Sequence, residues 1–299
     1  MRDKVVLITG PARGIGEAIA RRAAREGARV ALVGMEPERL SALASELGAA
    51  AAWWHADVTD QPALDAAVSG TIATFGRIDV VITNAGVANI GTVASADIEA
   101  MARVINVNVL GTMRTVKAAL PQLIASCGYV LIVSSAASFS PMPGMSAYAS
   151  SKAAVEQFAN VLRLEMAPCG VDVGSAHMLW IDTDMVRDVQ NDLSSFRKTL
   201  SRLPYPFNTV TSLDECATAL MRACDTRARR VFVPRALGVS SALRQVMNSA
   251  FMQRLLLPKM SAMITESETE MMQVGRAFGE HSVGMGDVAE REAESSARK

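Results

Sequence analysis

Two hydrophobic patterns alternate along the chain. Short runs are apolar at nearly every position: Val5-Val6-Leu7-Ile8, Val30 to Val33, Val80-Val81-Ile82, Tyr129 to Val133 and Val171 to Ala176. Between them lie longer segments whose apolar residues return every three or four positions. A short, wholly apolar run reads as a strand buried on both faces, and the helical spacing reads as amphipathic helix. Helices are expected at 15–26, where Ile15, Ala18, Ile19 and Ala23 share one side, and at 37–47 behind Pro37. Further helices are expected at about 61–75, 97–125, 147–167 and 213–224. Ala52 to Ala56 predicts a third strand that ends at Asp57, and Val231-Phe232-Val233 a last short one. Regular alternation of this kind predicts an α/β protein: a parallel sheet with helices on both faces, joined by right-handed crossovers.

The rhythm stops near Pro234. Residues 238–257 carry Leu243, Val246, Met247, Ala250, Phe251 and Leu255 at helical spacing, and a second stripe follows with Met260, Met263, Ile264, Met271, Val274 and Phe278. After Gly279 the chain is rich in Gly, Ser, Glu and Arg, which reads as disorder. The expected division is a main body over 1–236, a helical extension over 237–279 and a disordered tail over 280–299.

Composition changes this picture little. Of 299 residues half are hydrophobic and a fifth charged, as in a globular protein with a substantial core. Thirty basic and thirty acidic residues cancel, and no basic stripe is interleaved with aromatics, so nucleic acid is not an expected partner. Cys127, Cys169, Cys216 and Cys224 are scattered and read as free thiols; His55, His177 and His281 form no ligand motif, so no metal is expected. A strand begins almost at once, leaving no room for a signal peptide, and no apolar run is long enough to span a bilayer. A cytoplasmic location is the expectation.

The chemistry is concentrated in a few positions. Tyr148 and Lys152, four residues apart, share a helix face. A phenol is a poor acid at neutral pH, and a neighbouring ammonium lowers its pKa, so the pair can exchange protons near pH 7. Upstream, Gly10, Gly14 and Gly16 in Thr9-Gly10-Pro11-Ala12-Arg13-Gly14-Ile15-Gly16 follow a strand and open a helix. Such a loop lets a pyrophosphate approach the helix N-terminus. Together these motifs suggest carbonyl/alcohol redox chemistry.

The Gly-x-x-x-Gly-x-Gly spacing, Asp57 in Asp57-Val58-Thr59-Asp60, Asn84-Ala85-Gly86, Asn108 in the segment 106–111, and Ser135 ahead of Tyr148-Ala149-Ser150-Ser151-Lys152 closely resemble the short-chain dehydrogenase/reductase family over residues 4–234. The resemblance implies a Rossmann-type, doubly wound parallel sheet, with residues 1–236 as the dinucleotide-binding and catalytic domain and a C-terminal helical extension. It implies that Ser135 orients the substrate oxygen and that Tyr148 exchanges a proton with it. Lys152 is implied to lower the Tyr148 pKa and hold the nicotinamide ribose, and Asn108 to support a water that relays protons to Lys152. Gly10, Arg13, Gly14, Ile15 and Gly16 form the implied pyrophosphate loop. Asp57 and Val58 are implied to contact adenine, Asn84, Ala85 and Gly86 to border the adenosine ribose, and Ile181 and Thr183 to meet the carboxamide. The family usually has Pro-Gly where this chain has Met178-Leu179, so a differently shaped backbone is expected there.

An acid at the end of the second strand would bind the ribose 2′-hydroxyl of NAD and repel the phosphate of NADP. That place holds Gly34, followed by Met35; Glu36 comes late and is expected to face solvent. Arg13 lies in the glycine loop and Arg39 follows one helical turn on, so NADP is favoured, with NAD as the alternative. The segment 184–212 is implied to cover the substrate. Its Met185, Val186, Leu193, Phe196, Leu200, Leu203, Tyr205 and Phe207, with Phe139, Met142 and Met145, make an apolar lining. The expected substrate is a small-molecule carbonyl or alcohol, either lipophilic (steroid-like, long-chain or aromatic) or a small one beneath an apolar lid. A homodimer or homotetramer is implied by the two long helices, and membrane contact by the Met-rich C-terminal helices ranks last. The competing reading is a catalytically silent dinucleotide-binding sensor or scaffold, and a weaker third is an isomerase or epimerase.

Overall fold

The computed structural model describes residues 1–192, 194–252, 254, 257, 261, 264–266 and 268–270. The elements in order are β1 (Val5–Thr9), α1 (Gly14–Arg25), β2 (Arg29–Gly34), α2 (Pro37–Leu47), β3 (Ala51–His55), α3 (Gln61–Phe75), β4 (Val80–Thr83), α4 (Ile98–Ile105), α5 (Gly111–Ser126) and β5 (Tyr129–Val133). They continue with α6 (Ser146–Met166), β6 (Asp172–Met178), β7 (Trp180–Ile181), α7 (Asp184–Asp192), α8 (Ser194–Arg202), β8 (Val210–Thr211), α9 (Leu213–Asp225), β9 (Arg230–Val233), α10 (Leu237–Ala242) and α11 (Arg244–Met247). Seven strands form one parallel sheet in the order β3-β2-β1-β4-β5-β6-β9, and β7 pairs with β8 in a separate parallel ladder.

The two faces of the sheet explain the doubly apolar strands. In β1, Val6 and Ile8 pack with Ile19, Leu40 and Leu220 from α1, α2 and α9. The alternating Val5 and Leu7 pack with Leu64, Val116 and Val155 from α3, α5 and α6 on the other side. Each strand residue therefore enters one of two cores, as the period of two requires. Helix ends follow their local chemistry. Asp60 caps α3 by accepting from the Ala63 N–H, and Gly76 closes that helix at φ 81°. Between β1 and β4 the strand order reverses, which opens a crevice above the carboxyl ends of the strands.

Two expectations need correction. The single helix over 97–125 is interrupted by a π-helical turn at Asn106–Leu110. There the side chain of Asn108 turns inward and bonds both the N–H and the C=O of Val87, and the wider turn accommodates it. The helix over 238–257 is instead broken: α10 and α11 are short and meet at Leu243, whose φ of −92° and ψ of 9° leave the helical region. Leu237, fully buried, anchors α10 beside Phe139 and Leu179. Leu193, Leu255, most of the second C-terminal stripe and the tail 280–299 lie outside the described residues. Among the described residues no helix is long and apolar enough to cross a membrane.

Candidate active site

One cleft of about 350 Å³ runs along the crevice. Its nucleotide end is made of main chain. Gly10 and Gly14 have φ of +66° and +57°, a region where side chains other than glycine are strained. A Cβ on Gly10 would lie 2.9 Å from Ala85 Cα, and one on Gly16 would overlap the Gly10 carbonyl oxygen and the Asn84 amide. The loop is tied to β4 by two residues. Asn84 Nδ2 donates to the carbonyls of Thr9 (3.1 Å) and Gly10 (3.0 Å), while Thr9 Oγ1 accepts from the N–H groups of Asn84 (3.1 Å) and Ala85 (3.3 Å). Asp57 accepts from the Thr59 N–H at 2.8 Å and lines the cleft with Val58 and Gly86. The glycines leave the cleft open above the N-terminus of α1, a geometry that suits a dinucleotide pyrophosphate.

Glu36 does not turn to solvent as its position suggested. It lines the cleft and pairs with Arg13, and Arg39 approaches the same carboxylate at 3.9 Å. Two residues beyond β2 are enough to bring the carboxylate back over the glycine loop.

At the middle of the cleft stand Ser135, Tyr148 and Lys152. Ser135 leaves β5 in an extended conformation and caps the 3₁₀ turn Ala136–Ser138: its Oγ accepts from the Ala137 N–H at 3.1 Å and donates to the Met178 carbonyl at 3.4 Å. Tyr148 and Lys152 project from successive turns of α6, with the ammonium 5.6 Å from the centre of the phenol ring. Lys152 donates to the Val133 carbonyl at 3.0 Å, and Ser134 Oγ donates to the Lys152 carbonyl at 2.9 Å, so α6 is fastened to the end of β5. Burial pushes the Lys152 ammonium down to about 8. Burial pushes the Tyr148 phenol up, opposed by a hydrogen bond with Ser135. The expected lowering of the phenol by Lys152 is therefore not the dominant influence; desolvation outweighs a cation that lies against the ring face.

Asn108 is buried near the same point. Its amide is saturated by Val87 N (2.8 Å), Val87 O (2.9 Å) and Ser151 Oγ (2.9 Å). A Cβ on Gly86 would come 3.2 Å from Asn108 Oδ1 and 3.5 Å from Lys152 Nζ, so Gly86 admits both. The remaining expected residues divide. Thr183 lines the cleft, its methyl 3.4 Å from where a Cβ on Gly14 would sit. Ile181 does not: it is buried in the sheet core and pairs with Thr211. The β6–β9 register runs as far as Met178 and Val233, the Leu179 N–H donates to the Val233 carbonyl at 3.0 Å, and the Met178 carbonyl faces Ser135. Met185, expected in the apolar lining, and Met178 also face the cleft; Arg103, Asn106 and Val107 line it too, and no local signal marked these three.

The cleft has sequence counterparts. A model of the short chain dehydrogenase family matches residues 4–194. An uncharacterized oxidoreductase of Staphylococcus epidermidis is 34% identical over 186 residues, covering 62% of this chain and 81% of the relative. A 3-alpha-(or 20-beta)-hydroxysteroid dehydrogenase of Mycobacterium bovis is 32% identical over 204 residues, covering 68% and 78%. A trans-4-hydroxycyclohexanecarboxylate dehydrogenase of Sinomonas cyclohexanicum is 32% identical over 192 residues, covering 61% and 74%. With the glycine loop, the doubly wound sheet and most of the chain matched, this protein belongs to the short chain dehydrogenase family and is an NAD(P)-dependent oxidoreductase acting on CH–OH groups.

Proposed function

We propose that the protein interconverts a lipophilic ketone or aldehyde and the corresponding alcohol, using NADP(H). The convergence of Ser135, Tyr148 and Lys152 on one cleft beside the glycine loop carries this reading. The bound nicotinamide ring supplies or accepts the hydride. Ser135 Oγ and the Tyr148 hydroxyl hold the substrate oxygen, and Tyr148 gives it a proton in reduction or removes one in oxidation. A phenol raised by burial is fully protonated at neutral pH, as a proton donor must be. The Lys152 ammonium stabilises the phenolate left behind and offers donors to the ribose hydroxyls. Asn108 fixes the π turn and the 86–88 loop around this proton path.

NADP is supported by the charges at the adenosine end, where Arg13 and Arg39 stand against the single carboxylate of Glu36. Gly10, Gly14, Ile15 and Gly16 form the pyrophosphate seat in this reading, with Asp57 and Val58 at the base, Asn84, Ala85 and Gly86 at the ribose, and Thr183 at the carboxamide. A lipophilic substrate is supported by the aromatic cluster beyond Ser135 and by the hydroxysteroid and hydroxycyclohexane activities in the relatives' names. A homodimer or homotetramer is supported by exposed apolar side chains along α4 to α6, among them Ile98, Leu110, Val161 and Leu164. The free cysteines Cys127, Cys169, Cys216 and Cys224 support a cytoplasmic location. The reading keeps the catalytic unit at 1–236.

The test is a panel of ketones and alcohols followed by nicotinamide absorbance with NADPH and NADH separately. Tyr148→Phe is expected to lower kcat by about 10²- to 10⁴-fold while cofactor affinity is retained. Cofactor binding with no turnover anywhere on the panel would establish the silent sensor instead, and interconversion without net cofactor consumption an isomerase or epimerase.

A further inference from the structure

Behind Ser135, on the side away from the cleft, lies a buried polar group that the proposed chemistry does not use. His177 on β6 has no solvent exposure. Its Nε2 is 3.0 Å from Ser175 Oγ and its Nδ1 is 3.3 Å from Ser138 Oγ. The Ser135 carbonyl, which accepts from the Ser138 N–H at 3.1 Å, lies near enough to favour the protonated ring. The imidazole is stacked on Phe232, with ring centres 5.2 Å apart, and Phe139 packs on it at 5.8 Å. Ser135 is thus gripped from β6 at two points: the Met178 carbonyl takes its hydroxyl, and the neighbouring His177 holds its turn.

A second buried group faces the first. Glu156 stands on α6 one turn beyond Lys152 and two beyond Tyr148, and its side chain is only 5% exposed. Arg244 Nη1 on α11 donates to Glu156 Oε1 at 3.2 Å, and Arg230 Nη2 on β9 lies 4.0 Å from the same oxygen. Glu156, Arg230 and Arg244 are the charged groups that bear on His177 among the described residues; Ser135, Ser138, Ser175, Phe139 and Phe232 complete its surroundings without charge. Burial lowers the His177 pKa first; Glu156 and the Ser135 carbonyl oppose this, and the two arginines add to it. A neutral ring with its proton on Nδ1 satisfies both hydroxyl neighbours: Nδ1–H donates to Ser138 Oγ, and Nε2 accepts from the Ser175 hydroxyl.

We infer that His177 is a positioning residue for Ser135, and that the Glu156–Arg230–Arg244 cluster holds its imidazole in the neutral form that does this. Arg244 belongs to the C-terminal extension, outside the matched residues 4–194, so the extension acts on the reacting centre through α6 and β6. The inference rests on the proposed role of Ser135.

The experiment uses the full-length protein. Ser135→Ala is the reference, and it is expected to be nearly inactive; retained turnover would overturn the functional reading and this inference with it. His177→Phe keeps the aromatic stack and removes both ring nitrogens. It is expected to lower kcat by about 10- to 100-fold, as a displaced reacting group does, with little change in cofactor affinity. His177→Asn, which returns an amide near the Nδ1 position, is expected to recover most of that loss. With Ser135→Ala inactive, a wild-type kcat in His177→Phe, or an Asn variant no better than the Phe variant, overturns the inference alone. Arg244→Met, at a half-exposed position, gives an arm that does not depend on core folding. Removing one cation lets Glu156 favour imidazole protonation, so the acidic limb of the kcat profile moves to higher pH. In the His177→Asn background that movement disappears. An unmoved limb, or one that moves equally in both backgrounds, overturns the inference.

Discussion

At its nucleotide end the cleft is walled by main chain: Gly10 and Gly14 in left-handed conformations, Gly16 pressed against the Gly10 carbonyl, and Asn84 stitching the loop to β4. At its substrate end the wall is made of side chains: Val87, Val107, Met178, Thr183 and Met185 beside Ser135 and Tyr148, with the buried cluster of Phe139, Leu179 and Leu237 packed behind Ser135. A backbone wall has one shape and admits almost no substitution. A side-chain wall can exchange members of similar volume with little loss. The same fold can therefore hold one cofactor while the accepted alcohol changes.

The contrast is broken most directly at Gly16. A methyl group there meets the Gly10 carbonyl oxygen, the Asn84 amide and Pro11, all held by hydrogen bonds or ring geometry. Gly16→Ala is expected to cost about 3 kcal/mol of overpacking, borne by the loop that carries the pyrophosphate. Expressed in binding, that is about a hundredfold in cofactor Kd. Titration of NADPH fluorescence measures it; an unchanged Kd means the loop adapts and the wall is not fixed by its backbone.

Lys152 sits where the two ends meet, and its effect is read in stability. Its folded pKa is about 8 against 10.5 for the free group. Between those values the unfolded chain holds a proton that the folded chain has released. Burial of Lys152 therefore costs most below pH 8, and the cost fades as pH rises toward 10.5. The stability of wild type relative to Lys152→Met is expected to rise through this window by up to about 1.4 kcal/mol per pH unit. Urea denaturation of both proteins at pH 8, 9 and 10 checks it; a flat difference shows that the ammonium keeps its solvation in the folded state.

Legibility in the sequence follows the same division. The glycine loop, Asn84, and the Tyr148–Lys152 pair obey short-range rules: a positive φ, a fixed spacing, one helical turn. The sheet followed from strands such as Val5 to Ile8, whose apolar residues feed two cores. What escaped depends on distant partners. Glu36 looked like an exposed first-turn residue because Arg13, which draws it over the cleft, is 23 positions away. Asn108 widens its helix into a π turn to reach Val87, and no periodicity announces that. His177 read as an isolated histidine because Ser138 and Glu156 come from two other elements. The side chain of Ile181 enters the core through a pairing with Thr211, thirty positions away, that no local pattern shows.

Trp180 sharpens the comparison from the side-chain end. Its Nε1–H donates to the Phe207 carbonyl at 3.0 Å, and its ring meets Phe196 edge-on with centres 4.9 Å apart. It thereby fastens the segment after β6 to the segment before β8. Trp180→Phe keeps much of the apolar contact and removes the donor, an expected loss of about 1 kcal/mol. The effect should appear as about a fivefold rise in KM for the ketone, with cofactor Kd unchanged. A change in cofactor Kd instead would mean that the two walls are mechanically one.

The smallest expected effect tests whether the backbone end has an electrostatic selector of its own. Arg13 is engaged by Glu36, and Arg39 stands 3.9 Å from the same carboxylate, so a 2′-phosphate has to compete with an ion pair already formed. Glu36 is only 23% exposed in its side chain, which limits screening but leaves the pair in contact with water. Partly exposed pairs of this kind contribute about 0.5–1 kcal/mol, so Glu36→Gln is expected to raise the NADPH over NADH ratio of kcat/KM by about two- to fivefold. The change should come from NADPH alone, since a 2′-hydroxyl gains nothing from a released guanidinium. A large fall in NADH efficiency would carry the opposite meaning: the carboxylate, two residues past the end of β2, would then be accepting from the ribose hydroxyl, and the cofactor assignment would pass from NADP to NAD.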